Sequence, residues 1–241
     1  MPTYSIQNPR LWLKTSQHPA ARHGLALLRA LRGFELPAPR VLYRPLYTLH
    51  RYLRGAIATV ARVFYWTPLF RSRCQQGGKQ LYLYGGMPYI SGRLNIRFGD
   101  RCRISGQTTF SGRNASRATP ELILGNNIDI GWMSTIAVAG KVVIGDNVRI
   151  AGRAFIAGYP GHPLDAAQRA AGLPDLDEQT GDIIIETDAW IATGVTIMPG
   201  VRIGKRSIVA AGSVVTRDIP PDVLAGGCPA VVIRSLQPGN A

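Results

Sequence analysis

The sequence predicts a mainly β chain, a parallel β-helix of hexapeptide repeats led by a basic helical appendage. Three observations carry the prediction. Aliphatic residues recur every six positions through the second half, Gly, Asn and Asp fall between them, and the positive charge is gathered in the first third. The 241 residues, 46% hydrophobic and 17% charged, are enough to bury a core.

The appendage comes first, over residues 1–80. It holds thirteen of the 28 Lys and Arg residues against a single acid, Glu35, so most of the net charge of +14 lies there. Residues 42–66, "LYRPLYTLHRYLRGAIATVARVFYW", read as an amphipathic helix starting near Pro45, which a first turn tolerates. Leu42, Leu46, Leu49, Leu53, Ile57, Val60 and Phe64 form one stripe, opposite Arg44, Arg51, Arg54 and Arg62. The shorter "ARHGLALLRALRGF" repeats the theme. Such a helix suits an anionic membrane surface, the open end of a β-helix, or a partner enzyme. Charge alone would admit nucleic acid, but no recognised binding motif accompanies it, so no nucleic-acid partner is expected.

No apolar run reaches the roughly 20 residues that cross a bilayer; the nearest, Ala56 to Phe70, carries Arg62. "MPTYSIQNPR" lacks the basic cap and apolar core of a signal peptide. Cys74, Cys102 and Cys228 are odd in number and widely spaced, which fits a reducing compartment. The expected location is cytoplasmic, with peripheral contact at the inner face of the cytoplasmic membrane.

The repeat occupies the remainder. Ile185, Ile191, Ile197, Ile203, Val209 and Val215 keep a strict six-residue beat. It also runs through Phe98, Ile104 and Phe110, then Leu124, Ile130 and Ile136, then Ile144, Ile150 and Ile156. Four positions after the members of the long run come Ala189, Val195, Val201, Ser207 and Ser213. Six is neither the helical nor the strand period; it marks a triangular coil in which each hexad supplies one short strand and one corner. Gly125, Gly145, Gly194, Gly200, Gly204 and Gly212, with Asn126, Asn127, Asp146 and Asn147, are read as corner residues. The beat breaks between Ile156 and Ile185, where residues 157–182, "AGYPGHPLDAAQRAAGLPDLDEQTGD", are extruded with His162 among them.

The hexads, the loop "GHPLDAAQRAAG" and the run "AWIATGVTIMPGVRIGKRSIVAAGSVVTRDIPPDVLAGGCPAVVIRSL" resemble the left-handed β-helix acetyltransferases of galactosides, maltose, nodulation factors, antibiotics and polysaccharides. The resemblance covers about residues 81–236 and leaves a short tail at 237–241. It implies a left-handed coil, whereas ordinary parallel crossovers are right-handed. It also implies an acetyl-CoA-dependent O-acetyltransferase, a saccharide acceptor, and a homotrimer whose sites lie between columns.

Acetyl transfer to an alcohol needs a base, and a neutral imidazole supplies about 10²- to 10⁴-fold. His162 matches the family's catalytic histidine; the bland reading is a surface loop histidine. Asp165, three residues on, is a candidate to orient it. An asparagine that assists in galactoside-type relatives falls at Gly131, leaving backbone N–H groups for that role. The resemblance implies donor contacts at Thr193, Ala211, Thr216, Arg217 and Arg234, the arginines suiting a diphosphate. Plain coil packing is the competing account of Thr193, Ala211 and Thr216. A second family arginine corresponds to Val231. Trp190 either lines the groove or is a corner aromatic.

Zinc ligation by three histidines is not expected, since His18, His23 and His50 lie in the appendage and only His162 in the repeat. There is no GxxxxGK[ST] phosphate loop. The appendage favours an acceptor on a surface polysaccharide or lipid-linked glycan. The alternatives are a soluble acetyltransferase of a small sugar or antibiotic, and a non-catalytic β-helix scaffold.

Overall fold

A computed structural model describes residues 9–237, so the first eight residues of the stretch read for a leader and all of the tail but Gln237 lie outside the described residues. The chain divides into two compact units, one ending at Leu53 and one beginning at Arg54. Residues 54–80, assigned above to the appendage, thus belong with the β-helix.

In the first unit, α1 (Pro9–Thr15) and α2 (Pro19–Arg32) form a helical hairpin. His18 caps α2, its Nδ1 accepting from the Ala20 N–H at 3.2 Å. The helices close tightly near the turn: Ala21 is fully buried, and a Cβ on Gly24 would meet Leu13 Cδ2 at 3.0 Å.

α3 (Arg40–Ala61) crosses the division. It starts a turn before the expected Pro45, because the Pro39 carbonyl already accepts from the Leu42 and Tyr43 amides, each at 3.1 Å. Pro45 therefore sits inside the helix, where its missing N–H leaves the Val41 carbonyl without an intrahelical donor. The expected stripe, Leu42 through Phe64, is exposed along its whole length. A π-helical turn, Arg62–Trp66, precedes α4 (Thr67–Ser72). With more residues per turn than the α-helix, it shifts the angular position of those that follow, and Trp66 and Phe70, not Phe64, meet the column. Phe70 is 0% exposed and packs on Phe98 and Phe110, at 6.0 and 6.4 Å between ring centroids. Covering the column's end is therefore the work of residues 66–70.

The column is a left-handed parallel β-helix of three sheets with six, eight and six strands. Each coil gives one strand to each sheet, as with Lys141–Ile144, Arg149–Ile150 and Phe155–Ala157. All pairings are parallel and in register except the last, Val223–Gly227 against Ala230–Ser235, which is antiparallel and ends the second sheet. Every residue of the six-residue beat is buried, as are Ala189, Val195, Val201, Ser207 and Ser213.

The corners divide the turn residues into two classes. Arg101, Asn127, Asn147, Asp188, Arg206 and Asp222 stack on one corner, all in the left-handed region with φ between 55° and 63°. Side-chain amides link part of this ladder: Asn127 Nδ2 donates to Asn147 Oδ1, and Asn147 Nδ2 to Asp188 Oδ1, both at 2.8 Å. Gly194 and Gly212 serve another corner, each at φ +71°. Gly125 and Gly145 instead answer to space, since a Cβ there would meet the next coil at 2.4 and 2.6 Å.

Candidate active site

Two insertions leave the column at one edge, between a third-sheet strand and the next first-sheet strand. The shorter begins at Arg113, after Thr109–Gly112; the longer is the loop after Phe155–Ala157 that returns at Ile183. The loop is rooted by the Gly158 N–H donating to Ala137 O at 2.7 Å and the Gly181 N–H donating to Gly158 O at 3.0 Å.

Ala137 and Ala157 share a register position with Ser111, beside the inward Ile136 and Ile156. Strand alternation points both alanines outward, yet both are buried. Such burial follows if the loop folds back over them, and the Tyr159 hydroxyl does reach the Ser111 hydroxyl, two coils back.

Arg113 holds the returning leg. Its Nε donates to Asp175 Oδ1 at 3.1 Å, its Nη2 to the Asp175 carbonyl at 2.5 Å, and its Nη1 to Asp177 Oδ1 at 2.6 Å. Arg113 is 4% exposed and Asp175 5%. Burial opposes the guanidinium charge, but the hydrogen bonds to Asp177 and Asp175 outweigh it and hold the Arg113 pKa above its ordinary value. The same hydrogen bond holds the Asp177 carboxyl below its ordinary value.

Within the loop, Pro163 is buried and Arg169 Nη1 donates to the carbonyls of Pro163, at 3.0 Å, and Leu164. His162 sits between this knot and Tyr159. It is exposed, and among the described residues no hydrogen bond to it is found. An imidazole so placed has both ring nitrogens available for a substrate proton and an orienting partner.

Asp165 makes no hydrogen bond to His162 among the described residues. It is the N-cap of α5 (Ala166–Ala170), its Oδ1 accepting from the Gln168 N–H at 2.8 Å. The unpaired amides of a helix's first turn are the nearest donors to a carboxylate in that position.

The donor residues expected from the resemblance lie on later coils. Thr193 and Ala211 stack on one corner, with the Gly212 N–H donating to Thr193 O at 2.9 Å. Thr216 and Arg217 follow Val214–Val215 at the edge from which the loop leaves, two coils further on. Arg217 is exposed and makes no ion pair among the described residues. Trp190 stands half exposed on the second sheet, in register between Arg149 and Ile208. Arg234 is exposed on the final strand opposite Leu224. Thr193 thus comes together with Ala211 and Thr216 with Arg217, the two pairs lying on opposite edges of the third sheet.

At Gly131 a Cβ would meet the Gly152 nitrogen at 2.5 Å, so the coil has no room for an asparagine side chain. Its amide donates to Ile150 O at 2.7 Å and is not free for a substrate oxygen. Among the described residues no group of three or more His, Cys, Asp or Glu side chains is placed to hold a metal ion.

Sequence reasoning missed Arg113, Tyr159, Asp175 and Arg169. The available signals were an arginine opening an insertion, two acids in "PDLD", and alanines at outward strand positions.

The family described as bacterial transferase hexapeptide (six repeats) matches residues 182–217. A galactoside O-acetyltransferase of Escherichia coli (strain K12) is 40% identical over 114 residues, 47% of this chain and 54% of the relative. One from Lactococcus lactis subsp. lactis (strain IL1403) is 33% identical over 147 residues, 60% and 65% of the two chains. The chain thus spans less than two thirds of the length of either relative. The crystal structure of AntD, an N-acyltransferase from Bacillus cereus in complex with dTDP and 3-hydroxybutyryl-CoA, superposes with a TM-score of 0.56 at 18% identity, over 71% of this chain and 88% of AntD. That likeness concerns the fold. In its repeat and coil the chain is thus similar to the hexapeptide-repeat acetyltransferases that these relatives represent.

Proposed function

We propose that the protein is an acetyl-CoA-dependent O-acetyltransferase acting on a sugar hydroxyl. The observation that carries this is His162, exposed and unpaired on a loop braced to the column at Ser111 and Arg113. A braced loop holds a base in place without ordering it at each turnover. The imidazole takes the hydroxyl proton as the oxygen attacks the thioester carbonyl. The C–O bond forms, the C–S bond breaks, and the imidazolium returns the proton to the departing CoA thiolate. The donor lies along the later coils, past Thr193 and Ala211, with Thr216, Arg217 and Arg234 near its phosphates. Trp190 stands at the rim.

In this reading the protein is a homotrimer, with a neighbouring column supplying the wall opposite His162. The exposed α3 stripe, with arginines on its other side, rests on the anionic inner face of the cytoplasmic membrane. The acceptor is then a surface polysaccharide or a lipid-linked glycan. The test is release of CoA thiol from acetyl-CoA with a panel of sugars and glycan fragments, for wild type and His162→Ala. The expected result is acceptor-dependent release that the variant loses while its CoA binding and assembly persist. Unchanged release in a folded variant removes His162 from the chemistry. Turnover of small free sugars alone moves the acceptor to the soluble class, and no turnover with any acceptor leaves a scaffold.

A further inference from the structure

The α1–α2 hairpin is closed at its turn by Ala21, Gly24 and Leu13 and opens at its other end into a cavity of about 450 Å³. Four cationic side chains line it: Arg10 and Lys14 from α1, Arg29 and Arg32 from α2. Leu13, Leu25 and Leu28 also line it, and among the described residues no carboxylate does. Residues 9–32 contain no acid at all. Lys14, Arg29 and Arg32 lie in the last turns of their helices, where a cation is favoured by the helix dipole. The dipole accounts for each charge singly; it does not account for four of them meeting over leucines.

Four unneutralised cations repel one another, and an anion relieves that repulsion. Guanidinium groups match phosphate by their planar, bidentate donors. Leucines beside them favour a ligand whose phosphate is joined to an apolar chain. We propose that this cleft binds the phosphate headgroup of an anionic membrane lipid, with the leucines meeting the start of the acyl chains. The proposal rests on the membrane reading of the appendage and deepens it. The α3 stripe answers to surface charge and apolar depth, whereas a cleft with four donor groups discriminates between headgroups. A phosphomonoester, with a charge of about −1.5 to −2 and three acceptor oxygens, fits it better than a phosphodiester.

The experiment is flotation of the full chain with phosphatidylcholine vesicles doped with phosphatidic acid or phosphatidylglycerol, matched for surface charge. Wild type is expected to bind the phosphatidic acid vesicles at least tenfold more tightly. Arg29→Gln/Arg32→Gln, with an unchanged helical circular dichroism signal, is expected to bind both at the phosphatidylglycerol level. Equal binding of the two by wild type, or a preference that survives in the variant, overturns the site. Binding of short-chain phosphatidic acid without vesicles, read by Trp12 fluorescence in α1, separates the two readings. Capture of the short-chain lipid without flotation keeps the cleft and rejects the α3 surface; flotation without headgroup preference does the reverse. Displacement of that lipid by inorganic phosphate at equal concentration makes this a free-phosphate site and sinks the lipid assignment.

Discussion

Arg113→Ala tests the bracing of the loop most directly. The substitution leaves Asp175 buried at 5% exposure with no cation, and Asp175 Oδ2 has no hydrogen-bond partner even in the intact structure. Removing one member of a buried pair costs roughly 3–5 kcal/mol, mainly because the other charge is stranded. Asp177 adds little, since its side chain is 66% exposed. Against a total stability of about 5–15 kcal/mol this is large, but it falls on one segment. The coils beneath are held by their own ladders and core. The loop should therefore open while the column stays folded. An opening cost lowered by about 3 kcal/mol corresponds to a little over 100-fold at 1.4 kcal/mol per tenfold. Amide exchange across 158–181 should accelerate by that factor, with the strands from Ile183 onward unchanged. Turnover should fall with loss of kcat rather than a rise in the KM for acetyl-CoA. Replacing Arg113 and Asp175 together by Met and Leu should restore most of the protection, because no charge is then stranded. Unaltered exchange in the loop of a folded Arg113→Ala protein would refute the bracing argument.

Three further predictions concern other parts of the molecule. Asp165→Asn should keep α5 and most activity, because asparagine caps as well as aspartate does; a loss of more than tenfold in kcat with intact loop exchange would return Asp165 to the chemistry. Phe70→Ala should cost about 3–5 kcal/mol in urea unfolding of the full chain, as for other buried aromatic truncations, and a change under 1 kcal/mol would mean that the column's end does not depend on it. The loop should also be acid-labile in one direction only. Asp177 has its pKa lowered in the folded state by the Arg113 hydrogen bond, so its contribution is complete above the unfolded value of about 3.9 and is lost as pH falls through the lowered one. Exchange of 158–181 should be insensitive to Asp177→Asn below that window and show a small acceleration at pH 6, small because the carboxylate is mostly exposed; the opposite order would contradict the assignment.

The legible part of the fold was the part that repeats. Ile185 to Val215 announce a coil because each stacked turn demands the same side chain at the same place, and burial of every one follows from that period alone. Position in the loop and the neighbouring proline singled out His162 as a candidate, through the resemblance alone. The glycines were half legible: Gly194 needs a left-handed backbone, which the residue type suggests, while Gly125 needs a vacant Cβ, a fact about the coil above it.

What the linear chain could not contain were relations between non-neighbouring coils. Arg113 and Asp175 are 62 residues apart, and only the folding-back of the loop over Ala137 and Ala157 brings them together. Asp165 lies close to His162 in sequence, and its use as the N-cap of a helix beginning at Ala166 shows only in the folded chain. Amphipathicity placed the apolar stripe of α3 correctly and could not say what it meets; a single π-helical turn passed the column's end to Phe70 and left the stripe open. Periodic burial is a local demand and is written residue by residue. A brace, a cap and a close approach are set by which surfaces the finished coil brings within a few ångströms, and that is decided only in three dimensions.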